Sequence, residues 1–261
     1  MPKFSVVIPT YNRSAALLNT VNSVLSQNLT DFEIIVVDDG STDDTEEVIR
    51  QFGDDRIRYF WIPNSGGPAH PRNRGIEEAR SEWICFLDSD DTWFPSKLSE
   101  VDAVVSQSEV DAVYHSLLCR DRAKKTTSIR GTRGVTPDFY KTLLLHENRC
   151  PTSSMVARRS FLLKHELRFD ETPEFCVVED YDFWLRMAHH GARFSYIDKV
   201  LGEYLIDGSN ISGDQERMRS HLLHVLEYHV FRVQSFEKDK EALWRDIQAK
   251  QYAYNAISDL L

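Results

Sequence analysis

Basic charge is scarce in this chain: 31 lysines and arginines stand against 41 aspartates and glutamates in 261 residues, a formal net charge of −10. That balance argues against nucleic acid as a partner, because phosphate contacts need clustered Lys and Arg. Cysteine is scarce too. Cys85, Cys119, Cys150 and Cys176 show no C-x-x-C spacing, so neither a zinc knuckle nor a disulfide framework is indicated, and reduced thiols in a cytosolic compartment are expected. No apolar run approaches the roughly 20 residues of a membrane span, and the N-terminus passes into a strand pattern without the signature of a signal peptide. A cytoplasmic protein is the expectation, with the cytoplasmic face of a membrane as a location it could share. The chain also lacks the glycine trio of a dinucleotide fold. Its first strand runs instead into Pro9-Thr10-Tyr11-Asn12-Arg13, which sets a Rossmann dehydrogenase aside.

What is present is an alternation of strands and helices. Phe4 to Ile8 is a β-branched run, and Ser14 precedes a helical pattern through Leu17, Leu18, Val21, Val24 and Leu25. Glu33 to Val37 repeats the strand signal before a helix capped by Ser41 and Asp44, Arg56 to Ile62 gives a third strand, and Trp83 to Leu87 a fourth. Such alternation predicts an α/β fold with a mostly parallel, Rossmann-like central sheet flanked by helices, its ligands held at the C-terminal ends of the strands. A helix opened by Pro95 and a strand over Ala112 to Leu118 follow, then a charged, Gly-bearing loop over Arg120 to Arg133. The expected division is residues 1–110 as a nucleotide-binding half, 111–212 as a substrate-shaping half and 213–261 as a helical tail. In the tail, Leu222, Val225, Leu226, Val230, Val233, Leu243, Ile247 and Ile257 recur at helical spacing, a stripe suited to core packing or to a homo-oligomer contact, with peripheral membrane docking as the minority reading.

The chemistry gathers at strand ends. Asp88-Ser89-Asp90-Asp91 closes the fourth strand, and carboxylates crowded this closely raise one another's proton affinity unless a cation sits among them. Oxygen-only ligands favour Mg²⁺ or Mn²⁺. The plain alternative is an acidic turn in which Asp91 caps the next helix. Tyr11 offers a flat face to a base, and Asp38-Asp39 can accept from a base N–H or ribose hydroxyls. Gly66, in the permissive loop from Asn64 to Ala69, and Arg72, in Arg72-Asn73-Arg74-Gly75, suit a pyrophosphate, whereas Arg74 is expected to pair with Glu77 or Glu78. Glu179-Asp180, at the start of a helix, place a carboxylate that can act as a base, and Asp182 and Arg186 sit at ion-pair spacing. Trp184 either stacks on a sugar face or fills the core.

Val6 to Asn12, Val36 to Asp43, Arg72 to Gly75, Phe86 to Asp91 and the Glu179-Asp180 pair, in this order, resemble the family 2 glycosyltransferases of the GT-A fold. The resemblance implies an inverting, metal-dependent transferase with a nucleotide-sugar donor, a UDP-sugar, and a glycan or lipid-linked acceptor. It implies that Tyr11 stacks on the base, Asp39 binds uracil, Asp88 lies near the ribose and Asp90 ligates the metal. Pro9 and Ser89 belong to the same nucleotide-facing set. Asp180 becomes the general base, supported by Glu179. Where many members have a His after Tyr-Arg-x, this chain has Asp207, an oxygen donor that could join the metal or merely turn the chain. A glycoside hydrolase using paired carboxylates and a non-catalytic sugar-nucleotide binder or scaffold are the competing readings.

Overall fold

A computed structural model describes residues 1–206 and 215–258 of the chain. β1 (Phe4–Thr10), α1 (Ser14–Leu25), β2 (Phe32–Asp38), α2 (Thr45–Gln51), β3 (Ile57–Trp61), α3 (Ala69–Glu78) and β4 (Trp83–Phe86) alternate as the periodicity predicts. They form a parallel array in the order β3-β2-β1-β4. Every residue of β1, β2 and β4 is buried, which is why these strands read as continuous apolar runs: both sheet faces are covered. Alternate side chains serve alternate faces. Phe4, Val6 and Ile8 pack with Leu17, Val21, Val24 and Ile49 of α1 and α2, while Val7 points the other way to Ala69 and Ile76 of α3.

The sheet continues beyond β4. β5 (Thr92–Trp93), α4 (Lys97–Gln107), β6 (Ala112–Asp121), β7 (Thr126–Arg130), α5 (Phe139–Leu145), β8 (Val156–Arg158), α6 (Arg159–Lys164), α7 (Glu179–His189) and β9 (Phe194–Ile206) follow. β8 inserts antiparallel between β4 and β6, β9 lies parallel to β6, and β5 closes the far edge. One sheet thus runs through the strands from β1 to β9.

Two local expectations are corrected. Arg120 to Arg133 is not simply a loop, because β6 runs on to Asp121 and pairs with β7 in a hairpin. All five residues of β7 are exposed, so no apolar alternation marked the strand. α4 begins at Lys97 with Ser96 at its N-cap position, and Asp91 lies well before it.

The tail folds back on its own chain. In α8 (Gln215–Tyr228), the π-helical turn His229–Val233 and α9 (Lys240–Ser258), Val225, Leu226, Val230 and Ile247 are buried in the core cluster of Phe183 and Leu185, with Leu222, Val233 and Leu243 against it. The stripe is therefore core; the Ile257 side chain lies outside the described ones. Among the described residues no helix is long and apolar enough to cross a membrane.

Gly75 sets how closely α3 approaches β1. A Cβ there would meet Val7 Cγ1 at 2.2 Å and Cγ2 at 3.0 Å, so Gly75→Ala must push the helix off the strand. The alanine gains helix propensity, but overpacking of this kind outweighs it, and a net loss of about 1–3 kcal/mol is expected. A denaturant midpoint at or above the wild-type value would contradict this.

Candidate active site

The loops after β1 and β2 are bonded into one rim. Asp39 N donates to Thr10 O at 2.8 Å, Asn12 N to Ser41 Oγ at 2.8 Å and Thr42 N to Asn12 Oδ1 at 2.8 Å. Asn12 takes a positive φ of 48°, a conformation that asparagine tolerates. Pro9 is buried at the strand end, whereas Tyr11 stands 48% exposed on the rim, its ring available to a ligand. Asp38 is absorbed by the fold: it accepts from Ser41 N at 2.8 Å and from Tyr59 Oη at 2.5 Å. Asp39 accepts from Ser65 N and Oγ at 2.8 and 2.7 Å. Burial raises the Asp39 carboxyl above its ordinary range, with the Ser65 bonds pulling the other way. Where the β2 loop meets the loop after β3, Gly40 is required, since its φ is +80° and a Cβ would lie 2.8 Å from Asn64 N. Gly66 also turns at a positive φ, +85°.

In the segment Arg72 to Gly75 each residue has a separate job. Arg72 points inward, 4% exposed, and its guanidinium donates to Asp88 Oδ1 at 2.7 Å and Glu179 Oε1 at 2.5 Å. Asn73 staples the loop at Phe169 through bonds in both directions, 2.9 and 2.8 Å. Arg74 pairs on the surface with Glu78 at 2.6 Å, as the spacing suggested. In this structure the Arg72 charge is engaged by two carboxylates, one from the acidic tip and one from α7.

At the acidic tip the three aspartates have separate surroundings. Asp88 is partly exposed and bound to Arg72. Ser89 is buried, its carbonyl accepting from Thr20 Oγ1 at 2.9 Å. Asp90 is bonded to Arg13, and burial, then the Asp88 charge, raise its carboxyl above the ordinary range, with Arg13 opposing them. Asp91 is 1% exposed and accepts from Ser153 Oγ at 2.5 Å and Leu205 N at 3.2 Å. Burial, then Asp88 and Asp90, push it well above the ordinary range. Asp91 is thus an internal tie to β9 and not the helix cap the sequence offered as an alternative.

The first turn of α7 brings Glu179 and Asp180 towards the tip, with Arg72 joining Glu179 to Asp88. Glu179 is 3% exposed and held by Arg72. Asp180 Oδ1 accepts from Tyr181 N at 2.6 Å and Oδ2 from Thr152 Oγ1 at 2.5 Å. Burial raises the Asp180 carboxyl, and Asp88 adds to the rise, while Thr152 and Arg72 oppose it. Asp182 bonds Arg186 Nε at 2.7 Å and pairs with His229 Nε2 at 3.1 Å, so α7 is fastened to the tail as well as carrying the expected ion pair. Trp184 is fully buried against Phe86, Phe169 and Phe183. It fills the core, and the sugar-stacking reading is corrected.

Among the described residues no group of three or more His, Cys, Asp or Glu closes into an ion cage. Asp207 lies outside the described residues. The donor set still fits a hard cation. Asp88 and Asp90 supply oxygens at one strand tip, and their mutual repulsion is what a divalent ion would relieve; Mg²⁺ in particular binds through one or two carboxylates completed by phosphates and water. Arg13, Thr152 and Ser153 were not assigned from the sequence. Arg13 stood in the first loop but 77 residues from Asp90, and Pro151-Thr152-Ser153 carries no pattern that points to an acid on another helix.

Comparisons with known proteins bear on the family and the fold. The family model described as Glycosyl transferase family 2 matches residues 5–165. The chain is 44% identical over 102 residues to the GalNAc(5)-diNAcBac-PP-undecaprenol beta-1,3-glucosyltransferase of Campylobacter jejuni, a match covering 38% of this chain and 33% of that one. Two of the curated relatives it matches are spanned over only 33% and 52% of their length. Its fold is similar to that of S. aureus TarS 1–349 in complex with UDP-GlcNAc, with a TM-score of 0.73 at 21% identity over 97% of this chain and 73% of that one. It is also similar to a mannosyltransferase from Pyrobaculum calidifontis in complex with GDP-Man and Mn²⁺, with a TM-score of 0.65 at 17% identity over 98% of this chain and 75% of that one.

Proposed function

The chain belongs to glycosyl transferase family 2, and from that premise we propose that it transfers a sugar from a UDP-sugar to a hydroxyl of a glycan or lipid-linked acceptor, with inversion. The observation that carries the reading is that Arg72 ties the acidic tip to the first turn of α7, bonding Asp88 on one side and Glu179, the neighbour of Asp180, on the other. Tyr11 and Asp39 form the base-binding rim, and the Gly66 loop and the Arg72 region border the diphosphate. Asp180 takes the proton of the acceptor hydroxyl as that oxygen attacks the anomeric carbon, and the bond from that carbon to the nucleoside diphosphate breaks in the same displacement. A divalent ion, Mn²⁺ or Mg²⁺, held at Asp90 beside Asp88 would neutralise charge on the departing diphosphate. Its support is the oxygen-only donor set and the fold relative that carries Mn²⁺. The UDP preference is supported by the fold relative with UDP-GlcNAc.

A donor screen tests the reading. UDP-, GDP- and dTDP-sugars are offered with Mn²⁺ and followed by thermal shift and mass spectrometry of products. A selective response to a UDP-sugar is expected, with turnover falling at least about tenfold in chelator and returning with Mn²⁺. Cleavage of simple glycosides without nucleotide or metal would overturn it in favour of a hydrolase.

A further inference from the structure

The 3₁₀ turn Thr152–Ser154 is bonded both to the first turn of α7 and to the acidic tip. Thr152 Oγ1 donates to Asp180 Oδ2 at 2.5 Å. The next residue, Ser153, donates through Oγ to Asp91 Oδ2 at 2.5 Å and accepts from the Asp88 amide at 3.1 Å. The Ser153 carbonyl takes a third bond, from Trp93 Nε1 at 2.7 Å. All three residues of the turn are buried: Thr152 is 8%, Ser153 2% and Ser154 0% exposed. The turn is itself rigidly held. Ser154 donates to Pro151 O through both N and Oγ, at 2.9 and 2.7 Å, and Met155 O accepts from Phe86 N, the last residue of β4, at 3.0 Å.

We propose that Thr152 is a positioning residue for the transfer reaction: its hydroxyl fixes the Asp180 carboxylate, and Ser153 locks the same turn to the acidic tip, so that one buried turn sets the spacing between the base and the leaving-group site. The inference rests on Asp180 being the base. A carboxylate on the first turn of a helix can rotate about both of its side-chain bonds. Here Tyr181 N restrains one oxygen and Thr152 the other, which leaves the remaining lone pairs aimed in a fixed direction. A base displaced by an ångström loses a large part of its effect, because transfer requires a near-attack geometry. Valine matches the branched shape of threonine but cannot donate the bond.

Thr152→Val, Thr152→Ala and Thr152→Ser are measured alone and in the Asp180→Asn background, with UDP-induced thermal shift as the check that each variant folds and binds nucleotide. Thr152→Val is expected to lower kcat by about 10–100-fold with donor KM changed less than about threefold, and Thr152→Ser to restore kcat to within about threefold. Thr152→Ala provides the same reading if valine does not fold. In the Asp180→Asn background neither the valine nor the alanine should add a further loss, since a residue that acts through Asp180 has nothing left to position. An unchanged kcat in both Thr152→Val and Thr152→Ala, a full additional loss in the Asp180→Asn background, or a failed serine rescue overturns the inference. Full transfer in Asp180→Asn alone overturns the base assignment instead, so the two failures are distinguishable.

Discussion

Asp180→Asn is expected to lower kcat by about 10²–10⁴-fold, the range a well-placed general base supplies, while nucleotide binding is retained. The asparagine keeps the shape of the side chain, and its carbonyl oxygen can still accept from Thr152 Oγ1 or Tyr181 N, which hold the carboxylate at 2.5 and 2.6 Å. What it loses is the capacity to take a proton. The wild-type pH profile should carry the same signature. Burial, reinforced by Asp88, places the Asp180 pKa above the ordinary aspartate range, with Thr152 and Arg72 limiting the rise. Because the base works only when ionised, the rate should fall as pH drops through that raised value, giving an acid limb above the ordinary aspartate value of 3.8. In Asp180→Asn the limb belonging to this group should vanish from the residual rate. Near-wild-type turnover in the variant would remove Asp180 from the reaction.

The parts of this fold that could be read from the sequence were those whose physics is local. β1, β2 and β4 are buried on both faces, so their composition alone marks them as interior parallel strands, and right-handed connection brings their ends to one edge. The acidic tip and the Asp38-Asp39 turn could then be assigned to that edge, whereas the first turn of α7 was marked only by its resemblance to the family's Glu-Asp motif. Pairing between distant segments was not legible. Arg72 and Glu179 are 107 residues apart and Thr152 and Asp180 are 28 apart; which groups meet depends on how β8 and its preceding turn enter beside β4, and β8 has only three residues. Burial of polar residues was equally hidden. Lys97 opens α4 and reads as a surface lysine, yet it is fully buried with Nζ 3.6 Å from the centroid of the Trp93 ring. Trp184 shows the converse ambiguity, since a tryptophan four residues after Asp180 looks the same in sequence whether it faces a ligand or, as here, the Phe86-Phe169-Phe183 cluster.

Arg72→Met should be the most destabilising of the substitutions considered, with a loss of about 3–5 kcal/mol at neutral pH, the range for breaking a buried ion pair by removing one partner. Methionine replaces much of the side-chain volume and keeps contact with Phe169, whose ring lies 5.3 Å from the guanidinium carbon. It leaves Asp88 and Glu179 without the donor that now reaches both, and Glu179 Oε2 already has no hydrogen-bond partner among the described residues. Burial raises the Glu179 carboxyl above its ordinary 4.5 and Arg72 is the group that pulls it back, so in the variant the folded-state pKa rises further. The sign follows. A carboxyl whose folded pKa exceeds its unfolded one is tolerated when protonated and destabilises progressively as pH rises from 4.5 through the folded value. The loss in Arg72→Met should therefore be largest in neutral and alkaline buffer and shrink towards pH 5 or so. Adding Glu179→Gln should recover part of it, because the second substitution removes the stranded charge while keeping the shape. Urea unfolding of the single and double variants across this pH range decides the matter: a loss independent of pH, with no recovery in the double variant, would mean that Arg72 stabilises the fold by packing on Phe169 and not by holding the acidic tip to α7.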